Sequence, residues 1–243
     1  MRNRPGNLRR SLAFAALFAC AGCTAPGQPT GGGTATAFAT RAGLVGVMAE
    51  GSDRGGTGAY PTGSGVAIGT TGIVATAAHV VAGGEPGRIA VRTPAGERHP
   101  ASVTAFAPQR DLALLCVPGL AGRAGARLAS APPPAGEPVI ALAFAAGGMA
   151  VVAGRVAPQA ASPVRYGTFA VAEPLVLELS IRPGFSGGPV VNGRGELLGI
   201  LAGFAIDRAA RRELGIAYAV PAATLLDGTL GQAIADCRLR SRP

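Results

Sequence analysis

The chain has 243 residues, of which 48% are hydrophobic and 14% charged, and all 22 basic residues are arginine. This length and apolar content suffice for one large domain with a sizeable core. Leaving out the four arginines of the first ten residues lowers the formal charge from +9 to +5. The other arginines are scattered without interleaved aromatic residues, which argues against a nucleic-acid partner.

The first 23 residues have the pattern of an export signal. Residues 1–10 carry four arginines and no acid, and residues 11–22 are small and apolar, which is typical of a secretory signal peptide and too short to span a membrane. The segment Ala21-Gly22-Cys23 resembles the lipobox of bacterial lipoproteins. That resemblance implies lipidation at Cys23, while lipidation at Cys20 and plain secretion stay open. The Arg9-Arg10 pair also leaves twin-arginine export open.

Residues 24–40 contain mainly Gly, Pro, Thr and Ala and no charge. Such a segment cannot bury enough apolar surface to fold, so we interpret it as a flexible tether. We expect an exported protein on the periplasmic side of the cell envelope, attached to a membrane through its lipid.

Short apolar runs separated by Gly-rich and Pro-rich turns predict β-strands along the remaining chain. A segment over residues 122–138, centred on Pro132-Pro133-Pro134, is predicted to link two sets of strands. Residues 222–235 have helical spacing, with Leu225, Leu226, Leu230 and Ile234 on one face. The pattern favours an all-β fold of two small barrels. The strands are predicted at residues 44–47, 65–68, 73–76, 88–93, 101–106 and 112–117, and then at 139–144, 149–156, 169–179, 190–191, 197–204 and 217–220.

A single serine, Ser186, stands among three glycines in residues 182–190, between two apolar runs. Glycine allows backbone conformations that side chains forbid, so this turn can present a hydroxyl outward while backbone amides converge beside it. That geometry suits a nucleophile next to an oxyanion hole. Taken alone, the segment is equally compatible with an ordinary hairpin turn.

The order of the histidines decides between two chemistries. The spacing of Gly184, Ser186 and Gly188 fits the nucleophile elbow of α/β-hydrolases, in which the histidine follows the serine. Both His79 and His99 precede Ser186, which excludes that class and leaves the order His, Asp, Ser.

Each of the other two members has a simpler explanation when it is considered alone. His79 follows a predicted strand and could be a core histidine, and Asp111 opens the apolar strand at 112–117 and could be a strand-edge charge. His99 lies in a polar turn and is expected to be merely exposed.

Together these segments resemble the trypsin-like fold, and in particular its bacterial HtrA/Deg branch. The resemblance covers about residues 44–230. It implies two six-stranded antiparallel β-barrels with a C-terminal helix. The matching pieces are Gly63-Ser64-Gly65-Val66, Thr76-Ala77-Ala78-His79-Val80-Val81, Asp111-Leu112-Ala113-Leu114-Leu115, Pro183-Gly184-Phe185-Ser186-Gly187-Gly188-Pro189-Val190-Val191-Asn192 and Gly215-Ile216-Ala217-Tyr218-Ala219-Val220-Pro221.

The expected organisation has two departures from relatives. The few residues after Pro221 leave no room for a PDZ domain, so we expect no PDZ-mediated partner. Phe185 replaces the aspartate that zymogen-type relatives use, so we expect no activating cleavage. The expected segments are a signal peptide with lipobox (1–23), a tether (24–40), a protease domain (41–236) and a tail (237–243), and the protease domain divides into a first barrel (about 41–121), a linker (122–138), a second barrel (139–221) and a C-terminal helix (222–236).

The resemblance also implies a role for each site residue. Ser186 is the nucleophile, His79 the general base and Asp111 the residue that orients the imidazole, while the amides of Gly184 and Ser186 form the oxyanion hole. Ser180 and Ile181 are expected to line the primary specificity pocket, and Leu201, Ala202 and Gly203 to pair with the substrate backbone. None of these five is acidic, so a preference for Arg or Lys at the cleaved bond is not expected.

The expected function is an exported serine endopeptidase that acts on peptides or unfolded envelope proteins, without a metal or cofactor. Two alternatives use the same fold. One is a catalytically silent envelope protein that binds peptides or partners, and the other is an esterase or acyl transferase.

Two cysteines, Cys116 and Cys237, remain beyond the signal. No Cys-x-x-Cys pair accompanies them, so a zinc site is not expected. Export favours an oxidising compartment, in which the two could pair, or both could stay free as small apolar residues. In the trypsin-like fold the C-terminal helix packs against the first barrel, which implies a disulfide between them.

Overall fold

The fold was analysed in a computed structural model that describes residues 38–39, 42–51, 62–145, 148–158, 162–207, 209–210 and 212–240. Contacts divide the chain into Met1–Gly31, which lies outside the described residues, and Gly32–Pro243. The signal peptide, Cys20, Cys23 and most of the tether are therefore outside the described residues and remain predictions. In the described part of the chain, no helix combines the length and apolar character needed to cross a membrane.

The first barrel is a closed antiparallel sheet in which the strands follow the order β1-β2-β3-β6-β5-β4 around the barrel. Its interior is filled by alternate aliphatic side chains such as Val47, Val74 and Leu115, none of which is exposed. One turn of helix, α1 (Ala78–Val81), follows the third strand. The strands are β1 (Leu44–Ala49), β2 (Gly63–Ile68), β3 (Ile73–Thr76), β4 (Ile89–Arg92), β5 (Arg98–Ala107) and β6 (Leu112–Cys116).

The second barrel closes through the pairing of its fourth and fifth strands and runs in the order β13-β8-β9-β12-β15-β14. Its core contains Leu177, Val190 and Leu201. The all-β prediction with two six-stranded barrels and a C-terminal helix is confirmed. The strands are β8 (Pro138–Ala145), β9 (Gly148–Val156), β12 (Leu175–Glu178), β13 (Pro189–Asn192), β14 (Glu196–Asp207) and β15 (Arg212–Pro221).

The segment between the barrels is more ordered than a linker requires. Strand β7 (Arg127–Leu128) pairs in parallel with the start of β14. Just before it, the buried Ala126 exchanges backbone hydrogen bonds with β2 and its following turn. Two residues of pairing leave no periodicity in the sequence, so β7 could not be predicted.

A hairpin outside both barrels was not predicted. Its strands β10 (Val164–Tyr166) and β11 (Phe169–Val171) pair with each other. The strand predicted over residues 169–179 is in fact interrupted, because Pro174 lacks an amide hydrogen for the ladder and separates β11 from β12.

The C-terminal helix lies further along the chain than predicted. A 3₁₀ helix (Ala222–Leu226) ends before Gly228, whose φ is 97°, and helix α2 (Thr229–Arg240) follows. The predicted apolar face is therefore wrong at Leu226, which is 65% exposed. Cys237 lies within α2 rather than after it. Its sulphur atom is bonded to that of Cys116 on β6, with the two Cα atoms 5.2 Å apart, so α2 is fastened to the first barrel.

Candidate active site

His79 and Asp111 meet because β3 and β6 are neighbouring strands. Helix α1 carries His79 directly after β3, and Asp111 immediately precedes β6. The imidazole Nδ1 lies 2.9 Å from Oδ1 and 2.8 Å from Oδ2 of the carboxylate, and the backbone N–H of His79 donates to Oδ1 at 3.0 Å. Asp111 is fully buried and His79 is 4% exposed. The pair is therefore shielded from water, which strengthens its electrostatic interaction.

The turn before Asp111 directs its carboxylate inward. A 3₁₀ helix (Pro108–Arg110) ends at Asp111, which has a left-handed backbone with φ 45°. Residues other than glycine seldom adopt this conformation, although aspartate tolerates it better than most. An ion pair between Arg110 and Asp227 fastens the turn to the segment before α2. Hydrogen bonds from Thr229 and then Arg110 lower the pKa of Asp227 to about 2.

Ser186 follows a β-turn made by residues 182–185. The N–H of Phe185 donates to the carbonyl of Arg182 at 3.2 Å, and Gly184 has a φ of 101°. Proline in the second position and a glycine of positive φ in the third are typical of a type II turn. The turn is anchored by the side chain of Phe185, which is 1% exposed.

Two glycines after Ser186 allow the backbone of this loop to approach both barrels. A Cβ on Gly187 would lie 2.0 Å from the carbonyl oxygen of Ser64, and one on Gly188 would lie 2.2 Å from that of Leu142. Neither position has room for a side chain. The glycine pattern seen in the sequence is thus explained by close backbone contact.

Ser64 joins the Ser186 loop to the first barrel. Its N–H donates to the carbonyl of Ser186 at 2.8 Å, and its hydroxyl donates to the carbonyl of Gly184 at 2.8 Å. The same hydroxyl accepts from the N–H of Phe144, also at 2.8 Å. The loop of the second barrel that carries Ser186 is therefore held against the barrel that carries His79.

Three polar groups at this site have no partner in the described part of the chain. The N–H groups of Gly184 and Ser186 donate to none of the described residues, and both are available to an oxygen atom of a ligand. The Nε2 atom of His79 is buried and likewise makes no hydrogen bond there, so it is not bonded to the hydroxyl of Ser186.

A cleft of about 400 Å³ opens beside Ser186. Of the predicted substrate-binding residues, Ala202 and Gly203 line it. Its lining includes aromatic and aliphatic side chains and one arginine, and no acid. The other lining residues are Val164, Arg165, Tyr166, Pro183, Phe204, Ile206 and Tyr218.

Three predicted substrate-binding residues are not among those that line this cleft. Leu201 is fully buried in the core of the second barrel, and its carbonyl accepts the N–H of Gly187 at 2.7 Å. Ile181 is 5% exposed, and its N–H donates to a carboxylate oxygen of Glu213 at 3.1 Å. Ser180 is exposed outside the lining. Glu213 comes from β15, and neighbourhood in sequence could not reveal it.

Hairpin β10–β11 brings two aromatic residues to the buried pair. The hydroxyl of Tyr166 donates to Oδ2 of Asp111. The rings of Tyr166 and Phe169 meet the imidazole of His79 edge-on, with centroids 5.5 and 5.8 Å away. Sequence reasoning missed both residues. The available signal was two aromatic residues flanking the turn Gly167-Thr168.

The prediction that His99 is exposed is wrong. It lies on β5 opposite Val91 and is 15% exposed, because β5 begins at Arg98, three residues earlier than predicted. Its Nε2 atom is 3.5 Å from a carboxylate oxygen of Glu97. A hydrogen bond from Arg123 is the main reason that the pKa of Glu97 is lowered.

Three solved protease structures are similar in fold. The Rv3671c protease of M. tuberculosis in its active form has a TM-score of 0.66 at 24% identity, covering 85% of this chain and 87% of that one. The MamO protease domain of Magnetospirillum magneticum, in its apo form, has 0.64 at 29%, covering 77% and 95%. The HtrA-type protease AlgW, solved with a tripeptide, has 0.63 at 25%, covering 81% and 62%.

Comparison with curated protein sequences found no match. Residues 63–200 match the family model described as "Trypsin-like peptidase domain". The matched segment is more than half of the chain and includes His79, Asp111 and Ser186. By fold, by motif order and by this match, the chain belongs to the trypsin-like peptidase family.

Proposed function

We propose that the protein is an exported serine endopeptidase that cleaves peptide bonds through an acyl-enzyme formed on Ser186. One observation carries the proposal. The buried His79–Asp111 pair and a serine flanked by two unpartnered amides are held together across the two barrels by Ser64.

The first step is attack by the hydroxyl of Ser186 on the peptide carbonyl. Because Nδ1 of His79 faces the carboxylate of Asp111, Nδ1 carries the ring proton and Nε2 is left as the base. Nε2 takes the serine proton and passes it to the leaving amine, while Asp111 stabilises the imidazolium. Water then repeats the cycle in reverse and releases the acid product.

The amides of Gly184 and Ser186 are proposed to receive the oxyanion. The type II turn at residues 182–185 supports this role, because it leaves the N–H of Gly184 unused by the loop itself. Loss of one such donor typically costs about 10²–10³ in turnover.

The cleft supports a peptide with an apolar side chain before the scissile bond. Its walls include Phe204, Ile206 and Tyr218, and none of the lining residues is an acid that could pair with arginine or lysine. Ala202 and Gly203 lie on β14, where the backbone of an extended peptide could pair as an added strand. We propose peptides or unfolded envelope proteins as substrates.

A second candidate is a catalytically silent protein that binds peptides on the same fold. The buried Nε2 of His79, which makes no hydrogen bond to Ser186, favours it. The Rv3671c protease has itself been solved in active and inactive forms. A resting state of this kind would have to rearrange before the imidazole could take a proton.

A serine-reactive fluorophosphonate separates the two candidates. The endopeptidase should be labelled once per chain and should hydrolyse peptides, and Ser186→Ala should lose both properties while its melting temperature stays nearly unchanged. Failure of the unaltered protein to label would favour the silent protein, and labelling of the variant would move the nucleophile elsewhere. Turnover of small esters without peptides would instead indicate an esterase.

A further inference from the structure

Hairpin β10–β11 crosses from the second barrel to the acid of the first. In the described part of the chain, its strands pair with each other and with no barrel strand. Strand β11 lies against the 3₁₀ helix Pro108–Arg110, whose last turn leads into Asp111. A segment that contributes to neither barrel thus contacts the turn that aims the carboxylate.

The carboxylate of Asp111 is fully buried, so each of its oxygens needs hydrogen-bond donors. The backbone N–H of His79 serves Oδ1, and the ring N–H at Nδ1 is within reach of both oxygens. The hydroxyl of Tyr166 is the remaining donor among the described residues, and it serves Oδ2. Tyr166 therefore fixes the rotation of a carboxylate that would otherwise be held from one side.

We propose that Tyr166 is a positioning residue that holds Asp111, and through it the imidazole of His79, in the orientation needed for proton transfer. This inference rests on the proposed function of His79, Asp111 and Ser186. The ring of Tyr166 also lines the cleft beside Ser186. One side chain thus contacts the acid, the imidazole and the space where substrate binds.

The hydroxyl and the ring of Tyr166 can be separated by substitution. Tyr166→Phe keeps the apolar ring against His79 and in the cleft wall, and removes only the donor to Asp111. Tyr218→Phe is the matched control, because Tyr218 lines the same cleft and its hydroxyl is not bonded to Asp111. Since the hairpin is outside both barrels, both variants should fold, and their melting temperatures check this.

Kinetics on a peptide substrate form the first arm of the test. Tyr166→Phe should lower kcat about tenfold, as expected for losing a hydrogen bond to a charged group, and leave KM within about twofold. Tyr218→Phe should leave kcat within about twofold. An unchanged kcat in Tyr166→Phe, or a change confined to KM, would overturn the proposal. A raised kcat would also overturn it, since the hydroxyl would then restrain the site.

Proton NMR of the full chain forms the second arm and needs no activity. The chain has two histidines, so the Nδ1 proton of His79 is assigned by its loss in His79→Ala. Its resonance should broaden through faster exchange in Tyr166→Phe and stay sharp in Tyr218→Phe. If the protein proves catalytically silent, this arm still decides the positioning role, and identical spectra for both variants would refute it.

Discussion

Replacing Ser64 by alanine tests whether the contact between the barrels holds the active-site loop. The side chain of Ser64 is fully buried and makes two hydrogen bonds of 2.8 Å, to the carbonyl of Gly184 and from the N–H of Phe144. Ser64→Ala leaves both backbone groups without that partner. A buried group left unpaired costs about 1–3 kcal/mol, and both groups here are only partly buried, so we expect a loss of about 2 kcal/mol.

For a domain of this size, that loss corresponds to a fall in melting temperature of about 4–8 °C. The loss of the tie at Gly184 should also lower kcat by about tenfold or more, because the oxyanion turn is no longer held against the first barrel. The matched control is Ser102→Ala, on β5, whose hydroxyl makes no hydrogen bond among the described residues. Thermal melts followed by circular dichroism, and peptide hydrolysis, measure the two effects. Equal melting temperatures and equal kcat for both variants would refute the reasoning.

Four further predictions concern other parts of the chain. Reduction of the Cys116–Cys237 bond, which closes a loop of sequence separation 121, should remove about 5 kcal/mol by loop entropy and lower both melting temperature and turnover; if both thiols alkylate in the native, unreduced protein, no such bond exists. Cys23→Ala should release the protein from membranes, as judged by fractionation, and continued membrane association would place the anchor elsewhere. Peptide-library cleavage should favour Val, Ala or Leu before the scissile bond, with modest discrimination because each methylene is worth about 0.8 kcal/mol, and a preference for Arg, Lys or Asp would contradict the cleft assignment. The pKa of Asp227 is lowered to about 2, so its ionised form stabilises the fold above its ordinary pKa near 4, and this gain is lost as the pH falls toward 2; Asp227→Asn should therefore melt below the unaltered protein at pH 6 and level with it near pH 2, and a pH-independent difference would argue against it.

The sequence predicted those features that depend on local pattern. Strand β6 is an uninterrupted apolar run, and all five of its residues are buried. The glycines around Ser186 were readable because only a residue without a Cβ tolerates a carbonyl oxygen about 2 Å from that position. Strand existence and the order of the motifs were therefore sufficient for the two-barrel fold.

What the sequence did not reveal depends on contacts between distant segments. Tyr166 reaches Asp111 across 55 residues of chain, and Glu213 reaches Ile181 across 32. Neither pair leaves a periodic or compositional trace. Leu226 fits the predicted helical face by spacing, but Gly228 interrupts the segment with a positive φ and turns Leu226 outward. Spacing alone cannot register such a break.

The bond between Cys116 and Cys237 encloses the linker, the whole second barrel and Ser186 within one covalent loop. An enzyme that cuts peptide bonds is exposed to cutting by its own copies, and surface loops are where such nicks occur first. A single nick anywhere between the two cysteines would leave both new ends attached to the first barrel. The barrel that carries the nucleophile could not diffuse away from the one that carries the base, and a nicked molecule would remain one molecule until it was reduced.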